Sequence, residues 1–425
     1  MKKKLHLILI LILINTSILA QEYIVSSIQF EGSKKTNISF LKQLIHTKEN
    51  ETLIKKVLDE DITRLIRLPV IANASYNIVK NKNKCTIAIK LQENITLIPI
   101  ANLFQTNNEE IAYSLGLYEH NLFKRSISAG VWYQKNVFDS YGFDFRAPFL
   151  FSANFGLSVN FANLATKEPV FFNSGTAQYK YNNISTEVLG LYQINFKHKV
   201  TAGVNFFEEI YTPIDITDVP EAPGAFSLDK ILFKGTYTYD NRKFNYQYIS
   251  GFKSEFNLQY VIAPNEIAPN ETGNNFIVGW NDLLYFKRIQ EKGNWASRLR
   301  IGLAQNDETP FAPFSVDNNL NLRGVGNKID RGTGVIVLNT EYRHTLLDKN
   351  SYAFQGNLFI DAGTWRNPGG DFNDFTDTNN VRVFPGAGFR FIHKRIFNLI
   401  LRADFGYGIT ENEPFGIVFG VGQYF

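Results

Sequence analysis

The sequence predicts a small α+β domain followed by an all-β transmembrane barrel of about 16 antiparallel strands. Three observations lead there. First, the chain ends as a membrane strand. Within Phe415 to Phe425, Phe415, Ile417, Phe419, Val421 and Phe425 share one face, and Gly416, Val418, Gly420, Gly422 and Tyr424 share the other. Alternation between an oily face and a smaller, less oily one suits a wall between lipid and lumen. Second, the 425 residues include 37 Phe and 20 Tyr, yet mean hydropathy is only −0.16. A barrel reconciles the two values, because half of each strand is polar. Third, past the N-terminal segment no apolar run approaches the roughly 18 residues that a membrane helix needs. Entry into a bilayer then requires a closed sheet, since open edges are not tolerated in lipid.

Residues 1–20 read as a secretory signal. Lys2, Lys3 and Lys4 form its basic start, Leu7 to Ile14 its apolar stretch, and Ile18-Leu19-Ala20 its cleavage site. No Cys follows the cut, which argues against a lipid anchor there. The formal net charge is +4, and three of those charges lie in the signal, so the mature chain is close to neutral. Nothing in this balance suggests nucleic-acid binding. The single Cys85 excludes an intrachain disulfide framework and a cysteine-built zinc site.

Residues 21–94 read as a separate unit. Tyr23 to Phe30 alternates as a strand and stops at Glu31-Gly32. Ile38, Leu41, Leu44 and Ile45 then fall on one helical face, and Ile54, Val57, Leu58, Ile62, Leu65 and Ile66 on another. Leu68-Pro69 breaks the run. Ala74 to Val79 and Thr86 to Leu91 form a hairpin around Asn81 to Lys84. The order is strand, helix, helix, strand, strand.

Residues 95–425 read as the barrel. Sixteen alternating segments are expected at 109–118, 124–135, 138–149, 150–162, 171–181, 184–195, 198–208, 228–240, 249–261, 272–286, 294–305, 334–345, 352–365, 381–393, 396–409 and 414–425. The first strand would run outward. The outer loops would then be 119–123, the 149/150 corner, 182–183, 209–227, 262–271, 306–333, 366–380 and 410–413, with short turns on the inner side. Long loops on one side and short turns on the other are usual in transmembrane barrels. A soluble sandwich repeat explains neither this asymmetry nor the terminal Phe.

The longest loop, 306–333, carries Asn321-Leu322-Arg323-Gly324-Val325-Gly326. Glycine permits the tight turn that would bring an Arg against a wall. In 334–345, Ile336, Leu338, Thr340 and Tyr342 face lipid, so Asn339, Glu341 and Arg343 face the lumen. In 352–365, Phe354, Leu358 and Ile360 face lipid, so Gln355, Asn357, Phe359, Asp361 and Gly363 face inward. Glu341 and Asp361 thus point into one interior, where a guanidinium fork can bridge them. The bland alternative is a set of ordinary wetted lumen charges.

These residues resemble the BamA-like outer-membrane superfamily. Leu322-Arg323-Gly324 is similar to its Val/Leu-Arg-Gly-aromatic loop motif, and Phe359-Ile360-Asp361-Ala362-Gly363 to its Phe-x-Asp-x-Gly strand. Asn339-Thr340-Glu341-Tyr342-Arg343 resembles its Glu-bearing strand. Asn121-Leu122-Phe123 and Arg402-Ala403-Asp404-Phe405-Gly406 add to the likeness, and 23–93 resembles one POTRA domain. The resemblance implies that Arg323 tips a loop folded into the lumen, held by Glu341 and Asp361, with Phe359 packed against it. It implies a lateral gate between the first and last strands. Gly416, Gly420, Gly422 and Phe425 lie on that seam, where glycine weakens pairing or simply makes room. It further implies location in the bacterial outer membrane with the POTRA unit in the periplasm. Partners would be the bilayer, client outer-membrane or secreted polypeptides bound at the POTRA edge, and periplasmic accessory proteins. The chain departs from the family in Val325, where an aromatic is usual, and in having one POTRA unit.

The expected function is therefore an insertase or translocase that assists assembly or export of client proteins without nucleotide hydrolysis. The alternatives are a porin-like pore, or a secretion pore dedicated to one substrate. Inward Arg298, Arg300, Arg343, Arg390 and Arg402 outnumber Glu341, Asp361 and Asp404, which would favour anions in a pore. No catalytic residue, metal or cofactor is expected: there is no Gly-x-Ser-x-Gly elbow, phosphate loop or His-Glu-x-x-His. The six His are scattered, with His46 and His120 read as solvated. Asp371, Asp374 and Asp377 depart from Ca²⁺-loop spacing.

Overall fold

The computed structural model describes residues 23–105, 111–172, 174–263, 275–306, 312–316, 321–325, 330–397, 399–410 and 415–425. The signal expected at 1–20 lies outside them, as does Gly326.

The first unit is built from β1 (Ile24–Glu31), α1 (Ile38–Leu44), α2 (Lys55–Ile66), β2 (Ile71–Asn81) and β3 (Lys84–Glu93). The sheet order is β1-β3-β2, with β1 parallel and β2 antiparallel to β3. Both helices lay their apolar stripe on this sheet. Leu41, Leu44, Leu58, Leu65, Val25, Ile87 and Ile89 are fully buried together. Cys85 belongs to this core and is a packing residue. The turn into α1 is held by Glu93, whose carboxylate accepts from the amides of Lys34, Lys35 and Thr36. Gly32 (φ +84°) precedes it, and a Cβ there would fall 2.3 Å from the Leu91 carbonyl oxygen.

The wall strands among the described residues are β4 (Leu97–Gln105), β5 (Ile111–Leu122), β6 (Ile127–Asn136), β7 (Phe138–Ala147), β8 (Phe155–Phe172), β9 (Gly175–Gln193), β10 (His198–Asp215), β11 (Phe226–Asp240), β13 (Tyr248–Ile262), β14 (Phe276–Ile289), β15 (Gly293–Ala304), β18 (Gly334–Asp348), β19 (Tyr352–Arg366), β20 (Val381–His393), β21 (Ile400–Tyr407) and β22 (Phe415–Val421). Short β12 (Lys243–Asn245) extends one turn, and β16 (Phe314–Val316) pairs with β17 (Asp330–Gly332) inside the longest loop. Neighbours in sequence pair antiparallel, and the wall closes where β22 meets β4. Leu117, Phe206, Phe256, Leu358, Phe405 and Phe419 belong to an exposed, outward apolar belt.

The expected total of sixteen strands stands, but two compensating errors lie behind it. Leu97–Gln105 is a wall strand that the alternation hides, because Pro99 and a short apolar run make it look like linker. Conversely, the segments expected at 171–181 and 184–195 are one strand, β9. Asn182 and Asn183 imitate a turn there but lie in the ladder, opposite Ala165 and Leu164. These shifts reverse the sides of the early loops. The 121–126 and 148–154 turns lie at the end of the barrel nearest the small domain, not at the far end. Asn121 Nδ2 donates to Lys35 O, and Phe149 packs against Phe40.

Arg67 is the main tie between the two units. Its guanidinium donates to the carbonyls of Phe196, Asp240 and Arg242, and its carbon lies 4.6 Å from the Phe196 ring centroid. Tyr246 Oη adds a bond to Gln92. The small domain thus sits on the barrel turns at one mouth, and the described residues of the 306–333 loop enter from the other.

Candidate functional site

The alternation that assigns faces in β18 and β19 holds in the structure. Asn339, Glu341 and Arg343 are buried in the lumen, as are Gln355, Asn357, Phe359 and Asp361, whereas Leu338, Leu358 and Ile360 are exposed outside. The pairing register sets Asn339 beside Asp361 and Glu341 beside Phe359. This juxtaposition makes an acidic, aromatic-floored recess.

Arg323 fills it and has no exposed surface. Its Nε and Nη2 donate to the two oxygens of Asp361 at 2.8 and 2.9 Å, its backbone amide donates to Asp361 Oδ2 at 3.0 Å, and its Nη1 donates to Glu341. The guanidinium carbon stands 3.7 Å from the Phe359 ring centroid. A planar fork over a ring, with a carboxylate taken bidentately, is a geometry Arg satisfies and Lys does not.

The cluster is larger than spacing suggests. Asp404, Arg343, Arg390 and Arg402, which alternation marks only as inward charges, join it. Asp404 receives Arg390 at 2.8 Å and Arg402 at 3.3 Å, and stands 3.6 Å from Arg323. Arg343 and Arg390 both reach Glu341. Seven charges in four strands and one loop tip therefore form one network. Alternation locates each residue on its own strand; the register of the consecutive β19-β20-β21 pairing, across the curved inner wall, brings Asp404 to the cluster.

Small residues admit the loop tip to the wall. Gly324 has φ +104°, and a Cβ there would lie 2.8 Å from the Gly406 backbone. A Cβ on Gly406 would lie 2.3 Å from the Arg323 carbonyl oxygen, and one on Gly416 would lie 3.0 Å from that of Gly324. A Cβ on Gly363 would press on Leu322 at 3.1 Å. Leu322 and Val325 are fully buried with Val335, Val337, Trp365 and Phe384. Val325 packs as an aliphatic residue in this cluster, and Phe359 supplies the ring against Arg323.

The seam residues also have packing reasons. Gly416 makes room for Gly324, and Gly420 for the Arg402 guanidinium, 2.7 Å from its would-be Cβ. The last strand is shorter than expected: it ends at Val421, not Phe425. Gly422 has φ +91°, and the tail leaves the wall there. Phe425 consequently does not face lipid. It packs inside, against the Leu284, Phe286 and Ala296 cluster. A period-2 pattern carries no mark of the residue at which a strand turns inward.

One minor expectation also changes. His120 is half-buried, stacked on Tyr118 and edge-on to Phe397, with Ser128 bonded to its Nδ1. His46 stays exposed beside Arg64. Asp371 and Asp377 cap short 3₁₀ turns through the amides of Asn373 and Asn379, and Asp374 accepts from Asn367.

Comparison with known proteins matches these observations. Residues 23–94 match the POTRA family model described as surface antigen variable number repeat. No curated protein matches the chain in sequence. Among solved structures, CdiB from Escherichia coli aligns at TM-score 0.63 and 11% identity, over 94% of this chain and 76% of that one. CdiB from Acinetobacter baumannii aligns at TM-score 0.61 and 14% identity, over 95% and 74%. BamA from Haemophilus ducreyi lacking POTRA domains 1–3 aligns at TM-score 0.53 and 14% identity, over 94% and 84%. The chain thus carries one surface-antigen POTRA domain ahead of a sixteen-stranded barrel with the fold of BamA and CdiB.

Proposed function

We propose that the protein is an outer-membrane insertase or translocase that works without nucleotide hydrolysis. Residues 1–20 would be a removed signal, 21–94 a periplasmic POTRA domain and 95–425 the barrel. One observation carries the reading: the tip of the infolded loop is packed on the seam itself. Gly324 lies against Gly406 on β21 and Gly416 on β22. Plug and seam therefore form one packed unit, and movement of either must be felt by the other.

The remaining features give each part a role. The outer edge of β1 is occupied: the amide of Val25 bonds to Glu51 O, and its carbonyl takes the amide of Asn50. The edge of β2 is the other end of the sheet, and a client strand would add there through main-chain bonds. At the seam β22 leaves the wall at Val421, four residues before Phe425, so its POTRA-side end offers little pairing to β4 and would yield first to lateral entry. Closure of the client's own sheet and burial of its apolar face in lipid would drive release.

The test is depletion of the protein, with the outer-membrane and secreted proteomes compared against cells carrying Arg323→Ala. Loss of other barrels, or of secreted proteins, in both supports the reading. Unchanged levels in both contradict it. Loss of one secreted protein alone favours a dedicated export pore.

A second reading, a pore, has its own observation. The lumen wall away from the Arg323 cluster is lined by partly exposed ion pairs, Lys234–Glu187, Lys230–Glu209 and Lys253–Glu255. A steady, large conductance in the intact protein favours this reading. A small conductance that grows on removal of 306–333 favours the plugged insertase.

A further inference from the structure

We infer that the aromatic C-terminus, Tyr424-Phe425, is an intrachain ligand of the lumen, seated across the POTRA-side mouth, and that the seam opens only when it leaves its seat. The inference rests on the insertase reading for its consequence, but the seat itself stands on geometry.

Strand β22 stops at Val421, and the Gly422 amide donates to Ile400 O at 2.8 Å. The positive φ of Gly422 then turns the tail inward. Tyr424 is 9% exposed, and two guanidiniums face its ring: that of Arg323 at 4.7 Å and that of Arg402 at 4.9 Å. Arg402 is held between this ring and the small surface of Gly420. Phe425 ends on Leu284, Phe286 and Ala296, with Ile249 beside it, and Arg343 lies 5.6 Å from its ring. Ala296 belongs to β15, five strands round the wall from β22. Four residues thus carry the chain from the seam across the lumen.

Apolar burial alone does not select this path. A terminal Phe facing lipid hides as much apolar surface from water as one inside, because lipid is also apolar. What the lumen offers and lipid lacks is cations: Arg323 and Arg402 on Tyr424, and Arg343 on Phe425. Desolvated guanidinium–ring contacts are the specific attraction. The same Arg323 holds the loop tip through Asp361 and Glu341. Tail, lock and seam strand therefore share one residue. Anything that stabilises the seated tail stabilises the lock by the same factor, and the reverse.

The test uses the full-length protein in membranes or detergent. Deletion of Tyr424 and Phe425 should speed amide exchange in a peptide covering 321–325 by roughly tenfold, since local opening sets the exchange rate. A free Gln-Tyr-Phe peptide should restore protection, and Gln-Ala-Ala should not. Unchanged exchange in a truncated barrel that still shows heat-modifiable migration overturns the inference. If truncation prevents folding, a tether replaces it: Phe425→Cys and Leu284→Cys in a Cys85→Ser chain, joined by a reducible thiol cross-linker. Client insertion should stop while the tether holds and resume on reduction, with 321–325 still protected. Insertion that proceeds at the untethered rate overturns the inference. If the wild-type protein inserts no client at all, the insertase reading fails alone, and the exchange measurement decides the tail.

Discussion

The Arg323 side chain grips both carboxylate oxygens of Asp361, at 2.8 and 2.9 Å, from a loop 38 positions earlier in the chain. Both residues are without solvent exposure. A buried pair of this kind is a weak source of net stability when intact but costly to break, because the orphaned charge stays buried. Glu341 keeps Arg343 and Arg390 if Arg323 is lost, whereas among the described residues Asp361 pairs with no other arginine. Arg323→Ala should therefore destabilise the folded loop by about 3–5 kcal/mol. Arg323→Met with Asp361→Leu should recover part of that loss. The midpoint of heat-modifiable gel migration checks both. Equal midpoints for Arg323→Ala and wild type would contradict the geometry.

The glycine contacts separate crowding from backbone freedom. Gly406→Ala places a methyl 2.3 Å from the Arg323 carbonyl oxygen, and the opposing atoms are backbone. It should cost about 1–3 kcal/mol, as overpacking does. Gly416→Ala, at 3.0 Å, should cost less. Gly235→Ala meets its first neighbour only at 4.0 Å and should be close to neutral. Urea midpoints of refolded barrels should rank in that order.

Arg67 predicts the behaviour of the POTRA–barrel joint. Its guanidinium bonds three turn carbonyls and lies over Phe196. Losing a charged hydrogen-bond set of this kind typically costs about 1.5–3 kcal/mol. Arg67→Ala should leave both units folded but loosen their docking. Limited proteolysis near 94–97 should accelerate, while fragments from the barrel interior do not appear.

His46 gives a pH dependence outside the membrane. Although the ring stays largely exposed, its partial desolvation, and then the neighbouring Arg64 cation, lower its pKa from the ordinary 6.5. The folded domain thus prefers the neutral ring, and the unfolded chain binds the proton more readily. Stability of the POTRA domain should fall as pH drops below 6.5 and level off beneath the folded pKa. His46→Gln should flatten this slope in thermal unfolding of the full chain. A slope unchanged in that variant would assign it elsewhere.

Much of this was legible in the residues, for identifiable reasons. Period-2 alternation in β18 and β19 fixed which side chains face the lumen, and Glu341 and Asp361 followed from it. The helical stripes of α1 and α2 were clear because their apolar faces are unbroken. Where alternation is interrupted, the reading failed. Pro99 hid β4, and the Asn182-Asn183 pair split β9, because local turn chemistry was outweighed by ladder pairing on both sides. The contribution of Asp404 and Arg390 depends on the pairing register of β20 and β21 and on the curvature of the inner wall, and that of Tyr424 on where the tail turns; no local pattern encodes these. The inward turn at Gly422 was hidden for a similar reason: a seat on β14 and β15 decides it, not the residues around it.

The central claim is that the β4/β22 seam, next to the Arg323 lock, is where client polypeptide enters the membrane. The most direct measurement is photo-crosslinking in reconstituted vesicles, with a photoreactive residue at Leu97 on β4, at Phe419 on β22, or at Phe206 on β10, all of them exposed on the outer face. An unfolded client barrel should fold faster with the protein present, and should cross-link to positions 97 and 419 but not to 206. No acceleration, or equal cross-linking at 206, would contradict it.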